Sequence, residues 1–150
     1  MPGLSIVGDM IVRFPGETDE DFEASLDLLR EVQFKNVFVF KYSTRPGTVA
    51  ARLAADELSV SVKAGRHQRM LDFQNEIGMA HHVSMIGKEY RVLVEGNAKI
   101  SPTKTVRLTA RTTGDHIVAF DGPESLIGTI VPVKITKASS LALVGEHQLS

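Results

Sequence analysis

The chain has 150 residues, 43% of them hydrophobic, with a formal net charge of −1 and no cysteine. That composition suits one ordinary domain or two small ones and excludes a disordered chain. It also excludes disulfides, thiolate zinc sites and Cys-ligated clusters within these residues. No apolar run approaches the roughly 20 residues that span a bilayer, and the N-terminus lacks a basic-then-apolar signal, so a cytoplasmic protein is expected.

Residues 5–14 (SIVGDMIVRF) form an apolar, β-branched run ended by Pro15-Gly16, which predicts a buried strand stopped by a turn. Thr18 is placed as a helix N-cap with Asp21 three residues on, a weak capping box. Glu17, Asp19, Glu20 and Asp21 set negative charge against the positive end of that helix, which accounts for all four. Phe22, Leu26 and Leu29 recur at helical spacing, and residues 36–42 (NVFVFKY) predict a second buried strand. Strand, helix and strand in this order make a parallel βα unit. Arg45-Pro46-Gly47-Thr48 then opens a loop. A second helix is predicted over residues 59–80 with Met70, Phe73 and Ile77 on its apolar stripe and Arg66 and Arg69 off it.

Beyond Gly87 the pattern changes. Short strands are predicted at 90–95, 105–110, 117–120, 129–136 and 142–144, separated by Gly96-Asn97, Gly114-Asp115 and Asp121-Gly122-Pro123. Five short strands with polar turns predict a small antiparallel barrel. The boundary falls near residues 83–87, giving an α/β part at 1–82 and an all-β part at 83–150. The charge divides the same way. Residues 1–82 carry 9 Lys and Arg against 12 Asp and Glu, whereas 83–150 carry 8 against 6. The second part is therefore the mildly cationic one, the sign that suits nucleic acid.

Several motifs, taken together and in order, resemble one family. Residues 9–22 (DMIVRFPGETDEDF) resemble a late barrel strand, its Pro-Gly-Glu-Thr turn and an acidic helix start in the radical-SAM methylthiotransferases, and 42–51 (YSTRPGTVAA) resembles the next strand end. Residues 88–147 resemble a TRAM domain, a small OB-like RNA-binding barrel, through VLVEG at 92–96, Arg111-Thr112, LIG at 126–128, VKITKA at 133–138 and LVGE at 143–146. The fold this implies is the last βα units of a partial, TIM-like radical-SAM barrel followed by a five-stranded TRAM barrel. The resemblance also implies an enzyme using two [4Fe-4S] clusters and S-adenosylmethionine to add a methylthio group to an unactivated carbon. One branch modifies isopentenyl-adenosine beside the tRNA anticodon and a sister branch modifies an aspartate of a ribosomal protein. The Arg-Pro-Gly-Thr wording at 45–48 resembles the tRNA branch. The cluster cysteines and the earlier barrel strands have no counterpart here, so this chain alone is expected to bind no cofactor and to be inactive. Its expected partners are tRNA and the upstream domains of the longer enzyme, with self-association through an open barrel edge as a further route. A stand-alone RNA-binding module and a structural dimer module are the alternatives.

For site residues, the resemblance places Arg13, Gly16 and Glu17 near S-adenosylmethionine in the longer enzyme. Arg13 stands where the family has glycine, adding bulk and charge where close backbone approach is wanted. The bland reading of the same turn is a strand–turn–helix joint. Arg45, at a strand's C-terminal end, is a candidate RNA or cofactor contact or a surface ion pair. In the barrel Lys88, Arg91, Lys99, Lys104, Arg107, Arg111, Lys134 and Lys137 are the candidate phosphate contacts, with Arg111 and Lys134 first. Strict alternation puts Lys137 on the face of Val133 and Ile135, opposite Lys134. Tyr90 and Phe120 are either base-stacking or core aromatics. His81-His82 are too close along a helix to share a metal and read as a solvated helix end.

Overall fold

The computed structural model describes residues 4–53, 60–98 and 107–147. The chain divides into two compact units, one of Ile6–Ile77 and one of Gly78–Ser150 together with Met1–Ser5.

In the first unit β1 (Val7–Val12) and β2 (Asn36–Lys41) pair in parallel, Val7 opposite Asn36 and Val12 opposite Lys41. Between them runs α1 (Asp19–Val32). Thr18 caps it as expected: its Oγ1 accepts from Asp21 N at 3.1 Å, and its N donates to Asp21 Oδ2 at 3.0 Å, closing a full capping box. The helix ends at Gln33 in the left-handed region, whose N donates to Leu29 O at 3.0 Å. A short helix, α2 (Val49–Leu53), precedes the long α3 (Val60–Val83), whose residues from Gly78 onward belong to the second unit.

The core of this unit is Val12, Phe22, Leu26, Leu29, Val37, Met70 and Ile77, with Met10, Phe34, Val39 and Phe73 packed against it. The strands are half-covered rather than buried as their apolar runs predict. Side chains alternate between faces of the pleat, so Val37 is buried and Val39 half-buried, while Ile11, Phe38 and Phe40 are exposed. Runs apolar on both faces are the mark of a parallel sheet meant to be covered twice. Among the described residues only one face is covered.

In the second unit five strands close into a barrel in the order β3-β4-β5-β7-β6: β3 (Glu89–Asn97), β4 (Arg107–Thr112), β5 (Ile117–Asp121), β6 (Ile130–Ala138) and β7 (Leu143–Glu146). The barrel is mixed, not antiparallel as expected, because β5 and β7 pair in parallel, Val118 opposite Leu143. The reason is parity. Strand directions cannot alternate all the way round a ring of five, so a closed five-stranded barrel must contain a parallel neighbour pair. Its interior is Val92, Val94, Leu108, Ala110, Val118, Phe120, Val131, Val133, Ile135 and Leu143, with Met85 buried in the same cluster. Phe120 is wholly inside. Tyr90 is half-buried against the same cluster. Register breaks at Val94/Gly96 on β3 and at Ile135/Lys137 on β6 mark bulges that sharpen the strand bend.

Candidate nucleic-acid interface

The turn after β1 is built around a buried carboxylate. Arg13 takes a left-handed φ of 74°, Gly16 one of 86°, and Glu17 N donates back to Phe14 O at 2.9 Å. This folds the Glu17 side chain inward until it is 10% exposed. Its Oε2 accepts from Arg13 N at 2.8 Å and from Arg66 Nη1 at 2.7 Å. Arg66, 7% exposed, also donates to Glu17 O at 3.1 Å and to Asp19 Oδ1 at 2.5 Å. Burial opposes the Arg66 charge, but the hydrogen bonds to Asp19 and Glu17 outweigh it and hold its pKa above the ordinary arginine value. Arg66 is therefore no off-stripe surface cation, and helix-dipole compensation does not account for Glu17 and Asp19: together the three clamp α3 to the start of α1. The clamp occupies Glu17 Oε2, and a chain without cysteine offers no thiolate to an iron–sulfur cluster. Gly16 is exposed with nothing near it, and the buried Nε of Arg13 has no hydrogen-bond partner.

Arg45 sits in the loop after β2. Its carbonyl accepts from Thr48 Oγ1 at 2.9 Å, while its guanidinium makes no hydrogen bond or ion pair among the described residues. It lines an open concavity of about 500 Å³ with Ile11, Phe14, Phe40 and Tyr42.

On the barrel the cations sort by strand. Those of β4 are ion-paired: Arg107 to Asp121 at 3.4 Å, and Arg111 to Asp115 at 2.5 Å and to Glu95 at 3.2 Å. The bonds from Arg111 to Asp115 and then Glu95 raise its pKa further above the ordinary value. Lys88, Arg91, Lys134 and Lys137 are exposed and make no hydrogen bond or ion pair among the described residues. All four lie on or beside β3 and β6, which pair with each other: Arg91 stands opposite Pro132, Lys134 opposite Glu89, and Lys88 O accepts from Ile135 N at 3.0 Å. Lys137 contradicts strict alternation. The bulge at Thr136 takes up one residue, so Lys137 emerges on the solvent side, as Lys134 does, rather than inside with Val133 and Ile135. Lys99 and Lys104 lie outside the described residues. Leu93 and Ile130, a directly opposed β3–β6 pair, are 45% and 57% exposed and floor a shallow concavity of about 480 Å³ with Arg91 and Arg111 beside them.

A histidine cluster escaped the sequence reading. His82 is only 6% exposed, not part of a solvated helix end. Its Nδ1 lies 2.6 Å from Ser139 O, so Nδ1 carries a proton, and its Nε2 lies 3.0 Å from His116 Nδ1, within hydrogen-bond distance. His81 stacks on His116 at 5.0 Å. Burial first, then His82 and Lys88, push the His81 pKa below its ordinary value. Among the described residues no group of three or more His, Asp or Glu side chains is arranged to hold a metal ion. Nothing in local spacing could have found this pair, since its partners are 34 residues apart.

The TRAM domain family matches residues 83–146. Over 97% of its length the chain is 42% identical to the tRNA-2-methylthio-N(6)-dimethylallyladenosine synthase of Moorella thermoacetica and 45% identical to that of Desulfitobacterium hafniense, spanning 32% of each. It is 45% identical to the same enzyme of Symbiobacterium thermophilum, of which it spans 30%. The chain is thus similar, across both units and in one unbroken order, to about a third of the length of these tRNA-2-methylthio-N(6)-dimethylallyladenosine synthases, with a TRAM domain match over its barrel.

Proposed function

We propose that the barrel unit docks tRNA for a methylthiotransferase that modifies isopentenyl-adenosine beside the anticodon. The names of the relatives support the tRNA substrate over a ribosomal-protein aspartate. In this reading the α/β unit is the closing βα portion of a radical-SAM barrel. The cysteines that hold the clusters and S-adenosylmethionine belong to upstream parts of the longer enzyme, so the chain alone is not catalytic. The exposed Ile11, Phe38 and Phe40 face is where those upstream parts pack, or where two copies associate when they are missing. No described helix is long and apolar enough to cross a membrane, and a cytoplasmic site of action follows from the substrate.

One observation supports the RNA assignment above the rest: Lys88, Arg91, Lys134 and Lys137, which make no ion pair among the described residues, gather on or beside the adjoining strands β3 and β6, while the β4 arginines are ion-paired. An unpaired cation releases counterions from a phosphate; a neutralised one does little. Three or four such contacts give a log–log salt slope of roughly −2 to −4. Fluorescence anisotropy with an anticodon stem-loop across a salt series tests this. Arg91→Glu with Lys134→Glu should weaken binding by more than about tenfold and flatten the slope by roughly 2. Unchanged affinity in that double variant would overturn the assignment.

A further inference from the structure

We propose that the Leu93–Ile130 pair is a platform for an unpaired nucleobase, so that this face takes single-stranded rather than duplex RNA. The inference rests on the RNA reading above and adds to it which RNA conformation is bound and how it lies.

The outward positions of β3 run Glu89, Arg91, Leu93, Glu95 and those of β6 run Ile130, Pro132, Lys134. A solvent-facing strand side is ordinarily polar. Leu93 breaks that rule on β3 and Ile130 and Pro132 break it on β6, and of these Leu93 and Ile130 are directly opposed. Cross-strand partners on one face have Cβ atoms about 5 Å apart, so the two exposed side chains form one continuous apolar surface. Arg111 is the register partner of Leu93 on the other side.

Charge says what lies there. Arg91 and Lys134 follow the platform along β3 and β6 and make no ion pair among the described residues; Glu89 and Glu146 are the ladder partners of Lys134, so Arg91 is the cation that best suits a polyanion. On the opposite flank Glu95 and Asp115 hold Arg111 and cancel its charge. Those carboxylates repel phosphate, as do Glu89 and Glu146 beside Lys134, which sets the backbone along Arg91 with the base turned toward Leu93. The pinned guanidinium then offers a plane to stack against, a common mode for splayed RNA bases, at little entropic cost because its rotamer is already fixed. A base inside a duplex is already stacked and cannot reach the platform; a loop or single-strand base can.

The experiment uses the full chain and a labelled RNA oligonucleotide, single-stranded or annealed to its complement, in anisotropy titrations over a salt series. The wild-type chain should prefer the single strand. Leu93→Ala should weaken single-strand binding about tenfold, the scale of one lost stacked base, with an unchanged salt slope and unchanged duplex binding. Leu93→Thr, which keeps a strand-favouring side chain, should do the same and separates lost platform from lost fold. Arg91→Gln should weaken both forms and flatten the single-strand slope by about 0.7. If Arg91→Gln behaves so while both Leu93 variants bind like wild type, the platform is refuted and the RNA reading stands. A wild-type preference for duplex refutes the platform as well. If the wild-type chain binds neither form, the RNA reading fails and the platform with it.

Discussion

Substituting Gly145 by alanine tests how tightly the barrel is closed. Gly145 lies in β7 opposite Ile135, where β7 fills the gap between β5 and β6. A Cβ added there would lie 2.4 Å from Val133 Cγ1 and 2.8 Å from Lys134 O. Carbon atoms pack best at about 3.5–4.0 Å, so the overlap with Val133 exceeds about 1 Å. Neither neighbour yields easily. Val133 is wholly buried, its β-branched side chain has little χ1 freedom, and Lys134 is in ladder register with both Glu89 and Glu146. Overpacking of this kind costs about 1–3 kcal/mol, and we expect about 3 because backbone as well as side chain must shift. A chain of two units has no single unfolding free energy, so the assay is native-state amide exchange at Val92, Leu108 and Val118, which reads the barrel alone. About 3 kcal/mol lowers their protection about 100-fold. Removing the obstructing methyls with Val133→Ala should make the double variant less unstable than the two single losses summed. Protection within about threefold of wild type in Gly145→Ala, or strict additivity in the double variant, would refute the closure argument.

Other expectations follow from the same contacts. Arg66→Met strands the buried Glu17 carboxylate and should cost about 3 kcal/mol, the low end for a broken buried pair because Asp19 is solvent-screened. Exchange at Phe22, Leu26 and Leu29 should quicken while Val92 and Leu108 stay protected, and Glu17→Gln added to Arg66→Met should restore part of the loss. Thr18→Ala removes one side of the capping box and should destabilise α1 by about 1 kcal/mol, read at the same amides. The lowered pKa of His81 means that the unfolded chain takes up its proton first on acidification. The contribution of His81 to barrel stability should therefore be flat above the ordinary value of 6.5 and fall as pH drops from there through the lowered folded value. Lys88→Met should move the His81 pKa upward in an NMR titration; a downward move would contradict the cited repulsion.

The sequence was legible where order is local. The Thr18–Asp21 cap, the Phe22, Leu26 and Leu29 stripe and the short strands beyond Gly87 follow from spacing alone, and the structure has them. What stayed hidden depends on distance along the chain or on closure. Arg66 meets Glu17 across 49 residues and His82 meets His116 across 34, so no window could pair them. Lys137 was placed inward because period-2 reasoning cannot foresee a bulge at Thr136. The parallel β5–β7 pair was within reach, since five strands and a closed barrel already require one. Arg111 and Lys134 looked alike as cations in sequence. Their difference lies in ion pairing: Arg111 bonds Glu95 and Asp115, whereas Lys134, though in register with Glu89 and Glu146, makes no ion pair among the described residues.

The most direct test of the interface is an amide NMR titration of the labelled chain with an unlabelled anticodon stem-loop. The account predicts that shifts concentrate at Arg91, Leu93, Ile130, Lys134 and Lys137 and leave Ala119 on β5 and the amides of α1 unmoved. Shifts centred on β4 and β5 or on the α/β unit, or no shifts at all, would contradict it.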